Sequence, residues 1–152
     1  MSGNDVFPLS RRDFDDIYAR VPRLCVEVVI QEPDGVLLVR RDIEPCRGEW
    51  HLPGGTVFFG ESLPAAVSRV AARELGVSIV VGDLLGYIEY PYMAAAGYRG
   101  WPVGIAFEAT VVGGRLIGSD EGRQVGFFSE IPPDTIIEQA DFLRTLIRIP
   151  GI

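Results

Sequence analysis

A paired glycine, one misplaced glutamate and a few arginines are the residues of this chain whose types and spacing could do chemistry. Gly54-Gly55 lets the backbone take positive φ and approach a ligand closely. The stretch that follows predicts a helix, with Ser62 as N-cap, Pro64 in the first turn and Gly76 as the stop. Leu63, Ala66, Val67, Val70, Ala71 and Leu75 recur at helical spacing as one apolar stripe. Wound at about 100° per residue, Glu74 lands in the middle of that stripe. A carboxylate facing the core costs several kcal/mol unless it is paired or bound to a cation. The last turn of a helix adds a further penalty of roughly 0.3–1 kcal/mol for negative charge. The pattern leaves two compensations open: a buried ion pair with Arg41, Arg69 or Arg73, or ligation of a metal.

The spacing Gly55, five residues, Glu61, seven residues, Arg69, then Glu74-Leu75-Gly76-Val77 resembles the Nudix hydrolase signature. In that family the segment is a loop–helix–loop that binds a divalent metal and a diphosphate. Two helix positions depart from the pattern: Val70 and Arg73 stand where the family usually has glutamates. The single remaining helix carboxylate, Glu74, is similar to the GDP-mannose mannosyl hydrolase branch. The box is the specific part of a likeness that extends weakly over roughly residues 10 to 148.

At 152 residues the chain reads as one domain, 1–152, long enough for a substantial core. Hydrophobic residues at 47% and charged residues at 23% are ordinary globular values. A net charge of −7 argues against a nucleic-acid backbone or an anionic membrane as partner. An anionic small substrate stays admissible, because a metal and a few arginines reverse the local field. Cys25 and Cys46 show no zinc or CxxC spacing and read as thiols in a reducing compartment. The first residues lack the apolar core of a signal peptide, and no run reaches the length of a membrane span. A cytoplasmic protein is expected.

The elements that must position the box follow from periodicity and turn signals. Ser10 to Ala19 predicts a short amphipathic helix, and residues 24–41 a hairpin around Pro33-Asp34-Gly35. Pro45 to Pro53 reads as an irregular loop into a short strand, with Trp50 packed under the signature loop. Val77–Val81 and Leu84–Tyr90 read as a strand approach and a strand split by Gly82-Asp83. Pro91 to Gly100 reads as a mobile loop, and Trp101–Val112 as a strand closed by a Gly113-Gly114 hairpin turn. A last helix is expected from Thr135 to Arg148, with Ile137, Phe142, Leu143 and Leu146 toward the core. The order fits an α/β/α sandwich around a central mixed sheet, the Nudix type.

The resemblance implies roles for single residues. The Gly55 carbonyl, Glu74 and Glu121 would be hard-oxygen ligands for one Mg²⁺, with Mn²⁺ the other candidate ion. Arg41 would lie beside the diphosphate, where a guanidinium suits phosphate oxygens, whereas Arg40 reads as a solvated loop entrance. Glu27 is a solvent-facing strand residue on pattern alone; the branch places a sugar-contacting acid there. Arg69 would lean toward the site and fix the geometry around Glu74. Thr56 and Gly122 replace an arginine and a histidine base of that branch, so the base is open between Glu121, Glu61 and His51. The lone His51, between Trp50 and Leu52, reads first as a structural imidazole. A Mg²⁺-dependent hydrolase of a nucleoside diphosphate derivative is implied, GDP-mannose first, as a homodimer by analogy. The alternative is a catalytically impaired nucleotide- or metabolite-binding module.

Overall fold

The structure, a computed structural model, describes residues 7–44, 46–118 and 124–147. Ser10 accepts the Asp13 N–H at 3.1 Å and starts α1 (Arg11–Tyr18), a cap of the kind its hydroxyl is suited to. The β-prone run that follows becomes β1 (Arg23–Glu32). Val26, Val28 and Ile30 point to one face and Val29 to the other, and all four are fully buried. A strand covered on both sides is the centre of a sheet.

β1 changes partners along its length, and that change creates the site. At the turn end it pairs antiparallel with β2 (Gly35–Arg40), Gln31 opposite Val36. Nearer its start it pairs antiparallel with β4 (Gly54–Thr56), Glu27 opposite Gly54 and Cys25 opposite Thr56. On its other side runs β6 (Pro102–Gly114), parallel over eight residue pairs from Arg23 to Ile30. β2 continues with β3 (Trp50–His51) and β7 (Gln124–Phe128), both antiparallel. The order is β3-β2-β1-β6-β5, with β4 on β1 and β7 on β2, where β5 is Val77–Glu89. The expected hairpin over 24–41 therefore holds only around its turn.

α2 (Leu63–Leu75) forms as its caps and stripe predict: Ser62 accepts the Ala65 N–H at 3.2 Å, and Gly76 ends it at φ 71°. It buries Ala66, Val67, Val70, Ala71 and Leu75 against Val26, Val28, Ile30, Leu37 and Val39. Each valine or leucine among them is worth about 1.5–3 kcal/mol, which fixes the helix on this face of the sheet. On the opposite face α4 (Ile137–Ile147) brings Leu143 against Val29, Leu38 and Leu52. The result is the mixed-sheet α/β/α sandwich expected from the order of elements.

Five local expectations are corrected. β5 is one strand from Val77 to Glu89 that absorbs Gly82-Asp83 as register shifts against β6. Gly113-Gly114 is no hairpin turn: both residues pair with the start of β5, and the β5–β6 connection is residues 90–101. Within that connection Pro91–Ala95 forms α3, with Pro91 in the N1 position that suits it. Ile137 begins α4 but is exposed, and Trp50 packs edge-on against Phe128 at 4.7 Å instead of under the signature loop. Among the described residues no helix is long and apolar enough to cross a membrane.

Candidate active site

Where β1 leaves β2 for β4, a cleft of about 140 Å³ opens. Glu27, Arg41, Gly54, Gly55 and Glu74 line it, together with His51. Residues 27, 41, 55 and 74, far apart in the chain, thus meet at one place, while Glu121 lies outside the described residues.

Glu74 is not in the middle of the buried stripe. It is half-buried at the edge of that stripe, and its Oε2 accepts the Gly54 N–H at 3.3 Å. The gap between β4 and β2 gives the carboxylate a cleft to face, so its desolvation is smaller than a core position would impose. Val70, in place of a family glutamate, is buried beneath the glycine pair: a Cβ on Gly55 would come within 3.1 Å of Val70 Cγ2. Arg73, in place of the other, is exposed.

Glu27 is the correction with the largest consequence. Instead of facing solvent it is 6% exposed, in the central strand. Tyr90 donates its hydroxyl to Glu27 Oε1 at 2.9 Å, Gln139 Nε2 donates to Tyr90 Oη at 2.9 Å, and Gln139 Oε1 takes the Leu52 N–H at 2.6 Å. Any side chain on Gly54 or Gly104 would collide with the Glu27 carboxyl, so two glycines make its room. Burial pushes this carboxyl up to about 8, against the opposing pull of Tyr90, Arg23 and Arg41. That direction favours the protonated form at neutral pH.

Arg41 follows β2 on a loop tied by its own N–H to Glu49 O at 2.9 Å and by Gly48 N–H to its carbonyl at 2.8 Å. It lines both the cleft and an adjoining open depression, where Arg40 and Arg47 stand with one acid, Asp42, so the lining there carries more positive than negative groups. His51 lies close enough to feel it: burial first, then the Arg41 charge, lower the imidazole to about 4. Its Nδ1 sits 2.6 Å from the Leu52 carbonyl, which requires the proton on Nδ1 and leaves Nε2 as a buried, unpartnered acceptor. The expected structural imidazole is also a wall of the cleft.

Arg69 does not line the cleft, against its expected catalytic place. Its Nε and Nη2 reach the two oxygens of Glu61 at 2.7 and 2.9 Å, and Nη2 also reaches Thr56 O at 2.8 Å. The guanidinium stacks 3.6 Å from the Phe58 ring centroid. Glu61 Oε1 in turn takes the Phe58 N–H at 3.0 Å. This clamp ties together the turn that carries Gly55 into α2. With both oxygens engaged and its carboxyl held below the usual range by Arg69, Glu61 is badly placed to act as a base.

The NUDIX domain family model matches residues 21–144. The chain belongs to the Nudix family. The domain is 48% identical over 80 residues to the low-salt glycan biosynthesis protein Agl8 of Haloferax volcanii, covering 53% of this chain and 51% of that protein. It is 34% identical over 107 residues to an ADP-ribose pyrophosphatase of Methanocaldococcus jannaschii, covering 70% and 62%. The matched stretches thus span about half to three-fifths of those relatives. Among solved structures, a MutT Nudix hydrolase from Burkholderia pseudomallei superposes with a TM-score of 0.73 at 27% identity, over 82% of this chain and 98% of that one.

Glu74 and the Gly55 peptide put hard-oxygen donors of the kind a divalent cation takes on the cleft, while among the described residues no group of three or more histidine, cysteine or acidic side chains clusters to hold one. Sequence reasoning missed Tyr90, Gln139, Arg23 and Tyr98, all of which border the cleft. Arg23 alone had a readable signal, since Arg23, Cys25 and Glu27 alternate on one face of β1.

Proposed function

We propose that this Nudix domain is a Mg²⁺-dependent hydrolase of a nucleoside diphosphate derivative, a nucleotide sugar such as GDP-mannose being the first compound to try. The observation that carries the reading is the convergence of Glu74, Gly55, Arg41 and Glu27 on one cleft. The pyrophosphatase and glycan-biosynthesis relatives agree with it in chemical class.

In this reading Glu74 and the Gly55 carbonyl hold the divalent ion, with Glu121 the third ligand. When bound, the ion neutralises diphosphate charge. Arg41 binds phosphate oxygens by its planar guanidinium and stabilises charge that develops on the leaving group. Glu27, protonated at neutral pH, donates to a substrate hydroxyl or carbonyl oxygen, and Tyr90 and Gln139 keep it aimed. His51 Nε2 is the free basic lone pair bordering the cleft; an anion on Arg41 offsets the charge that holds the imidazole low and so strengthens it as a base.

The test is a panel of nucleoside diphosphate compounds with Mg²⁺, read for both binding and product. Glu74→Gln is expected to abolish the Mg²⁺-induced thermal shift, and Arg41→Ala to lower kcat/KM by about 10²–10³. Turnover in oxygen-18 water then locates the bond broken: label in the sugar supports attack at carbon, label in phosphate refutes it. A homodimer belongs to this reading by family resemblance, and sedimentation tests it.

Thr56 and Gly122, in place of an arginine and a histidine base, favour a second reading: a catalytically impaired module that binds nucleotides or metabolites. Thermal shifts with nucleoside diphosphates but no product on long incubation would support it over the first.

A further inference from the structure

Arg23 opens β1 and borders the same cleft as Glu27, Arg41 and Glu74. Its half-buried guanidinium hydrogen-bonds only neutral groups, and Glu27 is the acid whose charge reaches it from further along β1. Nη1 donates to Thr56 Oγ1 at 2.9 Å and to Cys25 Sγ at 3.0 Å, and Nη2 donates to Tyr98 Oη at 3.0 Å. The Phe14 ring lies 5.5 Å from its Cζ, and Nε is buried with no partner. Burial pushes the Cys25 thiol up to about 11, so it supplies no charge. Among the described residues no carboxylate lies within ion-pair distance of Arg23, in a chain of net charge −7 that has acids to spare.

A cation withdrawn from water is costly unless an opposite charge meets it. Tying the start of β1 to Thr56 and Tyr98 needs only neutral donors, which glutamine would supply with less desolvation. The surplus positive charge therefore wants an anion. The Tyr98 hydroxyl accepts from Arg23, so its own proton stays available to donate, whereas the Thr56 hydroxyl also meets the Cys25 sulfur. Charge and a spare donor together match an oxyanion.

Its position separates it from the diphosphate end. Arg23 and Glu27 lie on one face of β1, four residues of extended strand apart, about 13 Å between Cα atoms. Glu27 touches Gly54, the residue that Glu74 also contacts. Tyr98 reaches Arg23 from the segment that follows α3, at the other end of the cleft wall.

We propose that Arg23 and the Tyr98 hydroxyl form an oxyanion subsite, which takes a carboxylate or phosphate carried by the substrate away from the hydrolysed diphosphate. The inference rests on the reading of Glu74 and Arg41 as the diphosphate end.

Two matched pairs of compounds test it. UDP-glucuronate against UDP-glucose varies a sugar carboxylate, and coenzyme A against dephospho-coenzyme A varies a ribose phosphate. With Mg²⁺, kcat/KM is expected to favour the acidic member at least tenfold in one pair, and that pair identifies the source of the oxyanion. Thermal-shift Kd values should follow the same order. Arg23→Gln should cut the acidic-to-neutral ratio at least tenfold, and Tyr98→Phe severalfold. A ratio near one in the parent, or an unchanged ratio in either folded variant, overturns the subsite. Should Arg23→Gln fail to fold in a melt, Tyr98→Phe decides alone. Turnover of all four compounds without preference overturns only the subsite. No binding or turnover of any of them overturns both the subsite and the diphosphate reading beneath it.

Discussion

Two glutamates, Glu61 and Glu27, flank the same glycine-rich segment and are driven in opposite directions. Glu61 meets a guanidinium: Arg69 gives it two charge-assisted hydrogen bonds and holds its carboxyl below the usual range. Glu27 meets a phenol: Tyr90 gives it one hydrogen bond, and burial pushes it up to about 8. The first is a strut, ionised and satisfied, locking the turn into α2. The second is a carboxyl kept short of compensation at the edge of a cleft, and uncompensated groups in clefts are the ones available to a ligand.

The strut should be the costlier of the two to break. Arg69→Ala leaves Glu61, whose side chain is 15% exposed, without its cation and Thr56 O without its donor. Losing one partner of such an enclosed pair costs about 3–5 kcal/mol. Urea melts at pH 7 should register it as a fall in midpoint at constant slope. A loss under about 1 kcal/mol would mean that the clamp behaves as a surface pair and that the contrast with Glu27 is overstated.

Glu27→Gln tests the other side, and its effect has a definite sign with pH. The folded state holds the Glu27 proton up to about 8, while an ordinary glutamate releases it near 4.5. Between those values the folded form binds the extra proton, so stability is full below about 4.5, falls as pH rises, and levels above about 8. In metal-free buffer Glu27→Gln should remove that slope and be the more stable protein at pH 9, by the order of a few kcal/mol. Melts of parent and variant at pH 5, 7 and 9 read it directly. Parallel curves would mean that Glu27 is ionised throughout and that the two carboxylates do not differ in kind.

How far these two acids could be foreseen differs for a physical reason. The helix around Arg69 is local: caps at Ser62 and Gly76 and a 3.6-residue stripe sit in one continuous stretch, and all three formed as expected. The surroundings of Glu27 are assembled from Tyr90 and Gln139, 63 residues from Glu27 and 49 from Tyr90 respectively, with no local signature. Alternation along β1 could not say which face was solvent, because the strand is covered on both. Glu74 was visible as an anomaly. That it faces a gap rather than the core depends on β1 exchanging β2 for β4, a choice made by tertiary packing.

Tyr90→Phe narrows the comparison to one hydrogen bond. It removes the donor to Glu27 Oε1 and the acceptor for Gln139 Nε2, leaving a buried amide short of a partner. The expected loss is about 1–3 kcal/mol at pH 7, with the Glu27 carboxyl moving further up because its ionised form has lost a donor. Carbon-13 NMR of labelled glutamate would follow that titration; a downward move would contradict the assignment of Tyr90 as the donor.

The smallest effect should come from Arg73, four residues from Arg69 on the same flank of α2. The two arginines share a helix, a charge and a side, so they isolate what enclosure contributes. Arg69 is clamped between Glu61, Thr56 O and the Phe58 ring; Arg73 is exposed, in the last turn. Its charge there helps the helix dipole by about 0.3–1 kcal/mol before salt screening. Arg73→Ala should therefore cost no more than about 0.5 kcal/mol, less at 0.5 M salt than at 0.05 M. Turnover and diphosphate affinity should change several-fold less than in Arg69→Ala, whose clamp carries Gly55 into place. Equal losses from the two variants, in melting or in affinity, would show that position on the flank matters and enclosure does not. The strut would then be an ordinary surface arginine, and Glu61 would no longer stand apart from Glu27.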